Sequence, residues 1–188
     1  MQNIVEWILE AGLLKRTPRS GWSLMGVGGA ESVADHSFRC AAVGYALAHM
    51  ERVDVHRTLL MTLFNDLHEA RITDLHRMAQ HYMDAEAAED RSFSDQIQGL
   101  PKTIRDELSG VRSEYKLQES RESIVARDAD ILECLIQAKE YSEQGNAGAA
   151  LFLKNAEKLQ TESARKLWAL VERTDVNEWW SRIGTLGR

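Results

Sequence analysis

Four places in the 188-residue chain hold polar residues where a plain core would want apolar ones. The first is Glu31-Ser32-Val33-Ala34-Asp35-His36-Ser37-Phe38-Arg39. The second is Asn65-Asp66-Leu67-His68-Glu69, where Asn65, Asp66 and Glu69 share a helical face, because positions three and four apart are neighbours. The third is Ile72-Thr73-Asp74-Leu75-His76. The fourth, Arg127-Asp128-Ala129-Asp130, lies in the middle of a long apolar helix. Taken singly, each is also what a solvated carboxylate or a hydrogen-bonding histidine looks like. Taken together, they place an imidazole and carboxylates on separate helices, and bundle cores build metal sites by such convergence. Nitrogen and carboxylate donors suit divalent transition ions, and a bound ion lowers the pKa of water to make a nucleophile.

The elements that must position these residues are helical. Ile4, Val5, Ile8, Leu9 and Leu13 repeat at helical spacing over residues 2–14. A loop marked by Pro18, Gly21 and Gly26-Val27-Gly28-Gly29 follows, and its spacing is not that of a nucleotide-binding glycine fingerprint. Helices are expected from Glu31 to about Met50, from Val55 to about Ala70 behind an Asp54 N-cap, and from Asp84 to about Gln98. Others are expected over residues 102–118, from about Ser120 to Ser142, over 149–172 with a break near Thr161, and over 175–183. No strand-like alternation or repeat interrupts them. The expected fold is all-α, about eight helices in a single domain spanning residues 1–188.

Composition narrows the function classes. The 44% hydrophobic and 28% charged residues are an ordinary globular balance. A net charge of −6 without a Lys/Arg run argues against polymeric nucleic acid as partner, leaving room for a local basic pocket. No apolar run is long enough for a membrane span, and Glu6 and Glu10 interrupt what a signal peptide would keep apolar. Cys40 and Cys134 sit inside apolar patterns and read as buried thiols, so the expected location is the cytoplasm.

The ordered set resembles the HD-domain superfamily of metal-dependent phosphohydrolases, in particular its 5′-deoxynucleotidase branch, YfbR and HDDC2-like. The residues that carry the resemblance are Glu31 to His36, the pair Asn65-Asp66, Glu69, Asp74 and a distant Asp130. Arg19-Ser-Gly-Trp22 before them and Gln137-Ala-Lys-Glu-Tyr141 after them extend it to roughly residues 3–143. The resemblance implies a hydrolase of small phosphate monoesters such as (deoxy)nucleoside 5′-monophosphates. It implies one divalent metal ion (Co, Mn, Mg, Fe, Ni or Zn) held by His36, Asn65, Asp66 and Asp130. Glu69 would assist the attacking water or the leaving oxygen, and Asp74 would lie near the sugar or the water. Arg19 and Trp22 would grip phosphate and sugar-base. A homodimer is expected, since the relatives dimerise. Trp168, Trp179 and Trp180 with Leu167, Leu170 and Val171 would close the core or form the dimer contact.

Two positions stay open at this level. The family's signature pair is His-Asp, and here it reads Asn65-Asp66. Asn65 ligates more weakly, or His68 one turn on replaces it, or the site holds no ion and the protein is a nucleotide-binding or scaffold module. A hydrolase for another small substrate is a further rival. On the last helix, periodicity selects Asp128 as the buried acid, whereas the resemblance selects Asp130.

Overall fold

Ser32 starts the helix that carries the histidine. Its side chain accepts from the Asp35 amide while the Asp35 carboxylate accepts from the Ser32 amide, a complete capping box opening α3 (Val33–Glu51). The expected Asp54 cap and three further caps occur in the computed structural model, which describes residues 1–184. Asp54 opens α4 (Val55–Phe64), Asp84 opens α7 (Ala85–Ile97) and Ser120 opens α9 (Arg121–Glu143). Thr161 opens α10 (Glu162–Val171), so the break expected there is real. The remaining helices are α1 (Gln2–Ala11), α2 (Ser20–Leu24), α5 (Glu69–Ile72), α6 (Arg77–Gln80), α8 (Lys102–Leu117) and α11 (Glu178–Gly184). Residues 12–16 and 147–158 wind in tighter 3-10 turns. The architecture is all-α. Its extended backbone pairing among the described residues is one isolated antiparallel bridge, Pro18 with Ser32, which fixes Arg19 beside Glu31.

The expected helix 55–70 is not continuous. After Phe64 the chain tightens into three-residue turns: the Leu67 amide bonds the Phe64 carbonyl and the Glu69 amide bonds the Asp66 carbonyl. The Asn65 carbonyl is thereby left without a helical amide. Arg112 of α8 (3.1 Å) and the His68 ring (3.0 Å) donate to it instead. No Pro or Gly marks this break; a tertiary contact makes it.

α3, α4 and α9 pack around the site. Gly44 permits the close approach of α3 to α4, since a Cβ there would lie 2.8 Å from Thr62 Cγ2. α3 joins two apolar clusters. Val33 packs with Leu14, Leu67, Phe93 and Leu108, whereas Cys40 and Leu47 pack with Leu132, Leu135, Leu159 and Trp168. His36 sits on α3 between these two sets. Each fully buried Leu contributes roughly 1.5–3 kcal/mol, so the clusters hold the three helices firmly.

Both candidate acids on α9 are used, for different purposes. Asp128 is fully buried and accepts from the Gln160 amide (2.9 Å), the Thr161 amide and the Thr161 hydroxyl (both 2.6 Å). It anchors the start of α10, so periodicity read its burial correctly. Asp130 faces the histidine. Asp128→Ala is expected to destabilise the fold by about 3 kcal/mol, since it removes charged hydrogen bonds and leaves the Gln160 and Thr161 amides without their acceptor. At roughly 2–4 °C per kcal/mol for a chain this size, thermal melting should drop by about 6–12 °C. A melt within a degree of the parent would refute the anchor.

Of the expected C-terminal apolar set, Trp168 is buried and Leu167 and Val171 pack against the core beside it. Leu170, Trp179 and Trp180 are exposed. The set is therefore divided between closing the core and lying on the surface.

Candidate metal centre and active-site cavity

His36 is 2% exposed and is held at both ring nitrogens. Nδ1 meets Glu133 of α9. Nε2 lies 3.3 Å from Asp130 Oδ1 and 3.5 Å from Asp66 Oδ2. Three elements thus deliver one imidazole nitrogen and two carboxylates to one place. Burial alone would disfavour the imidazolium, as would Arg19 nearby, but Asp130 and Glu133 raise its pKa to about 10. The Asp130 carboxyl is held well below the usual range by His36, Arg19 and Arg127, against the effect of burial. Tyr115 donates its hydroxyl to Asp130 Oδ2 at 3.3 Å.

Asn65 lies beside this group. Its amide Nδ2 donates to Asp66 Oδ1 at 2.8 Å, and its side chain shares a narrow pocket with His36, Thr62, Asp66, Tyr115 and Asp130. His68 does not join them. Its Nδ1 donates to the Asn65 carbonyl, and its Nε2 lies 3.8 Å from Glu89, beside Arg112. Burial lowers its pKa, so it is a neutral ring tied to the backbone.

The acids outnumber their counter-charge. Arg19 Nη1 is 3.3 Å from Asp66 Oδ2, and its charge is also felt by Asp74, Glu69 and Asp130. Glu69 is 7% exposed, and its Oε2 has no hydrogen-bond partner. Burial, Asp66 and Asp74 push its carboxyl up to about 10. Asp74 Oδ2 accepts from the Ser20 amide at 2.7 Å, which ties the Arg19 loop to the cavity wall. Asp74 follows Thr73, whose φ of 64° and ψ of 169° lie in a region that glycine adopts and β-branched residues avoid. Thr73→Gly should relieve about 1 kcal/mol, a rise of roughly 2–4 °C in melting temperature. An unchanged or lower melting temperature would count against stored strain there.

A crowded, buried acidic cluster with an orphaned carboxylate oxygen and an imidazole facing two acids fits a divalent cation. A second trio of metal-capable side chains, Glu31, His36 and Glu133, has donor atoms within 4.8 Å of one another. Three of its four carboxylate oxygens are already engaged. Glu133 Oε1 accepts from Arg39 at 2.9 Å, Glu133 Oε2 meets His36, and Glu31 Oε1 accepts from Trp22 at 2.8 Å. Burial and the neighbouring Glu133 push Glu31 up to about 7. Glu133 therefore reads as the carboxylate that orients His36, leaving Nε2 free for an ion. Arg39 holds Glu133 in turn and is itself held by Gln137 (2.6 Å) and Glu140 (2.8 Å). Sequence reasoning missed Glu133. Its signal was a buried-side acid three residues after Asp130, flanked by Leu132 and Leu135. Glu133→Gln keeps the shape and removes the charge, and is expected to weaken metal affinity by about 10–100-fold. Calorimetric titration with manganese measures this, and an unchanged constant would remove Glu133 from the site.

The cavity in front of these residues has a volume of about 750 Å³ and is lined by Arg19, Asn65, Asp66, Glu69, Asp74 and Asp130, among others. Trp22 is not brought to it. The indole is 2% exposed, its N–H is bound by Glu31, and its ring packs on Tyr141 (5.2 Å between centroids) and Phe152 (4.5 Å). The resemblance would have Trp22 offer a face to a base or sugar; here the short helix α2 turns it inward. His76 caps α6, and His81 stacks edge-on with Tyr82. Arg112, Lys116 and Arg127 also line the cavity, and sequence reasoning gave them no role.

A family pattern described as an HD domain matches residues 11–170, and the chain belongs to that family of phosphohydrolases. It falls in the branch of the HDDC2-like enzymes. The chain is similar to 5′-deoxynucleotidase HDDC2 of Danio rerio, 31% identical over 151 residues that cover 79% of this chain and 74% of the relative. It is 29% identical to 5′-deoxynucleotidase HDDC2 of Homo sapiens over 143 residues, 76% of this chain and 70% of that one. Among solved structures, a conserved hypothetical protein from Pyrococcus furiosus superimposes with a TM-score of 0.78 at 35% identity, covering 90% of this chain and 99% of that chain. The fold and the ordered motifs thus agree on an enzyme.

Proposed function

We propose that the chain releases phosphate from (deoxy)nucleoside 5′-monophosphates with the help of one divalent ion. The observation that carries this reading is His36 Nε2 facing Asp66 and Asp130 at the wall of a cavity that also holds Glu69. The relatives' printed activity, 5′-deoxynucleotidase, supports the substrate class.

His36, Asp66 and Asp130 would hold the ion, with Asn65 as a weaker fourth donor. When bound there, a divalent ion supplies Lewis-acid polarisation of a phosphate oxygen and a nucleophile at neutral pH. Glu133 keeps the His36 ring in one orientation by engaging Nδ1. Glu69 holds or accepts a proton at its free Oε2, serving the attacking water or the leaving oxygen. Asp74 fixes the loop through the Ser20 amide, and Arg19 at the cavity wall contributes positive charge toward the phosphate. The exposed Leu170, Trp179 and Trp180 fit a homodimer contact, which light scattering would test. Cys40 and Cys134 are both free thiols, which suits the cytoplasm.

The test is phosphate release from a panel of deoxy- and ribonucleoside 5′-monophosphates with added manganese, cobalt or magnesium. Turnover that needs the ion and favours the deoxy series supports the reading. Turnover confined to non-nucleotide monoesters, or none with any ion, refutes it.

A further inference from the structure

We infer that Arg127 is a substrate-binding residue that takes the phosphate, deepening the phosphomonoesterase reading on which it rests. Four guanidinium or ammonium groups line the cavity: Arg19, Arg112, Lys116 and Arg127. Three are already paired with acids. Arg19 lies 3.3 Å from Asp66. Arg112 lies 3.2 Å from Asp90 and gives another N–H to the Asn65 carbonyl. Lys116 lies 2.9 Å from Glu86 and is also paired with Asp90. For Arg127, no carboxylate among the described residues lies within 4.0 Å. It lies within the electrostatic reach of Tyr115, Asp130 and Asp66, and the Tyr115 hydroxyl itself donates to Asp130.

Position adds to charge. Arg127 precedes Asp130 by three residues on α9, so both side chains leave the helix on one face. The carboxylate that would hold the ion and a guanidinium with no carboxylate in ion-pair contact are therefore neighbours on α9. An anion entering a cavity this rich in acids needs a cation whose charge is not already answered. The planar fork of Arg127 can give two parallel N–H groups to a phosphate. Its exposure into the cavity is what an open anion contact requires.

Arg127→Met and Arg127→Lys test this in the full chain with added manganese. Inorganic phosphate is the probe, both as titrant in calorimetry and as inhibitor of monoester hydrolysis. A phosphate-free nucleoside serves as a second inhibitor. Arg127→Met should weaken phosphate binding by about 10–100-fold, the scale of a hydrogen-bonded charge, while the nucleoside constant and the melting temperature hold. Arg127→Lys should recover part of the loss. Unchanged phosphate binding overturns the assignment, and so does an equal weakening of phosphate and nucleoside. The calorimetric result does not depend on turnover, so a protein that binds phosphate through Arg127 yet hydrolyses no monophosphate would sink the hydrolase reading alone.

Discussion

Replacing Asp66 with alanine is expected to lower turnover by more than about 100-fold, beyond what loss of an outer partner of a metal costs. Asp66 is at the centre of the cluster. It meets Arg19 through one oxygen and the Asn65 amide through the other, and the first oxygen is 3.5 Å from His36 Nε2. Stability should respond differently from activity. Asp66 is one of the charges that push Glu69 upward, so its removal relieves repulsion among buried acids. The melting temperature without added metal is expected to hold or rise while turnover disappears, the usual opposition between a strained site and a stable scaffold. Parallel measurement of phosphate release and thermal melting checks both halves. A variant that keeps its turnover would remove Asp66 from the chemistry.

Asn65→His is expected to raise affinity for manganese or cobalt by about 10-fold or more, equivalent to 1.4 kcal/mol per factor of ten. An imidazole is the better donor for such ions, and position 65 already shares a pocket with His36, Asp66 and Asp130. Asn65→Ala should lower the affinity, and His68→Ala should leave it unchanged, because His68 is committed to the Asn65 carbonyl and lies near Glu89. The three calorimetric titrations separate the alternatives. Loss of affinity in His68→Ala with none in Asn65→Ala would make the neighbouring histidine the donor.

Most of the scaffold was legible because local signals agree with the fold. Asp54, Asp84, Ser120 and Thr161 each cap a helix at or near the expected start. The break after Phe64 was not legible, because Arg112 and His68 cause it from outside the local pattern. Asp128 and Asp130 show what each kind of reading can do. Periodicity found the deeply buried acid, and the ordered motifs found the one beside His36. The surroundings of Trp22 were not legible because a pocket wall and a packed core both call for an aromatic ring, and only the structure shows Tyr141 and Phe152 against it. Glu133 was hidden inside a helix that reads as apolar, where its role depends on His36, 97 residues away.

The Asp128 anchor has a bearing on where the polypeptide can be shortened. The motifs end near Tyr141, which invites truncation there, yet the amides that neutralise Asp128 belong to Gln160 and Thr161. A fragment ending before them would strip Asp128 of these partners and the core of Leu159, Ala164 and Trp168. A unit that keeps this anchor extends through Val171, and residues 147–171 act as a strut for the helix that bears Asp130.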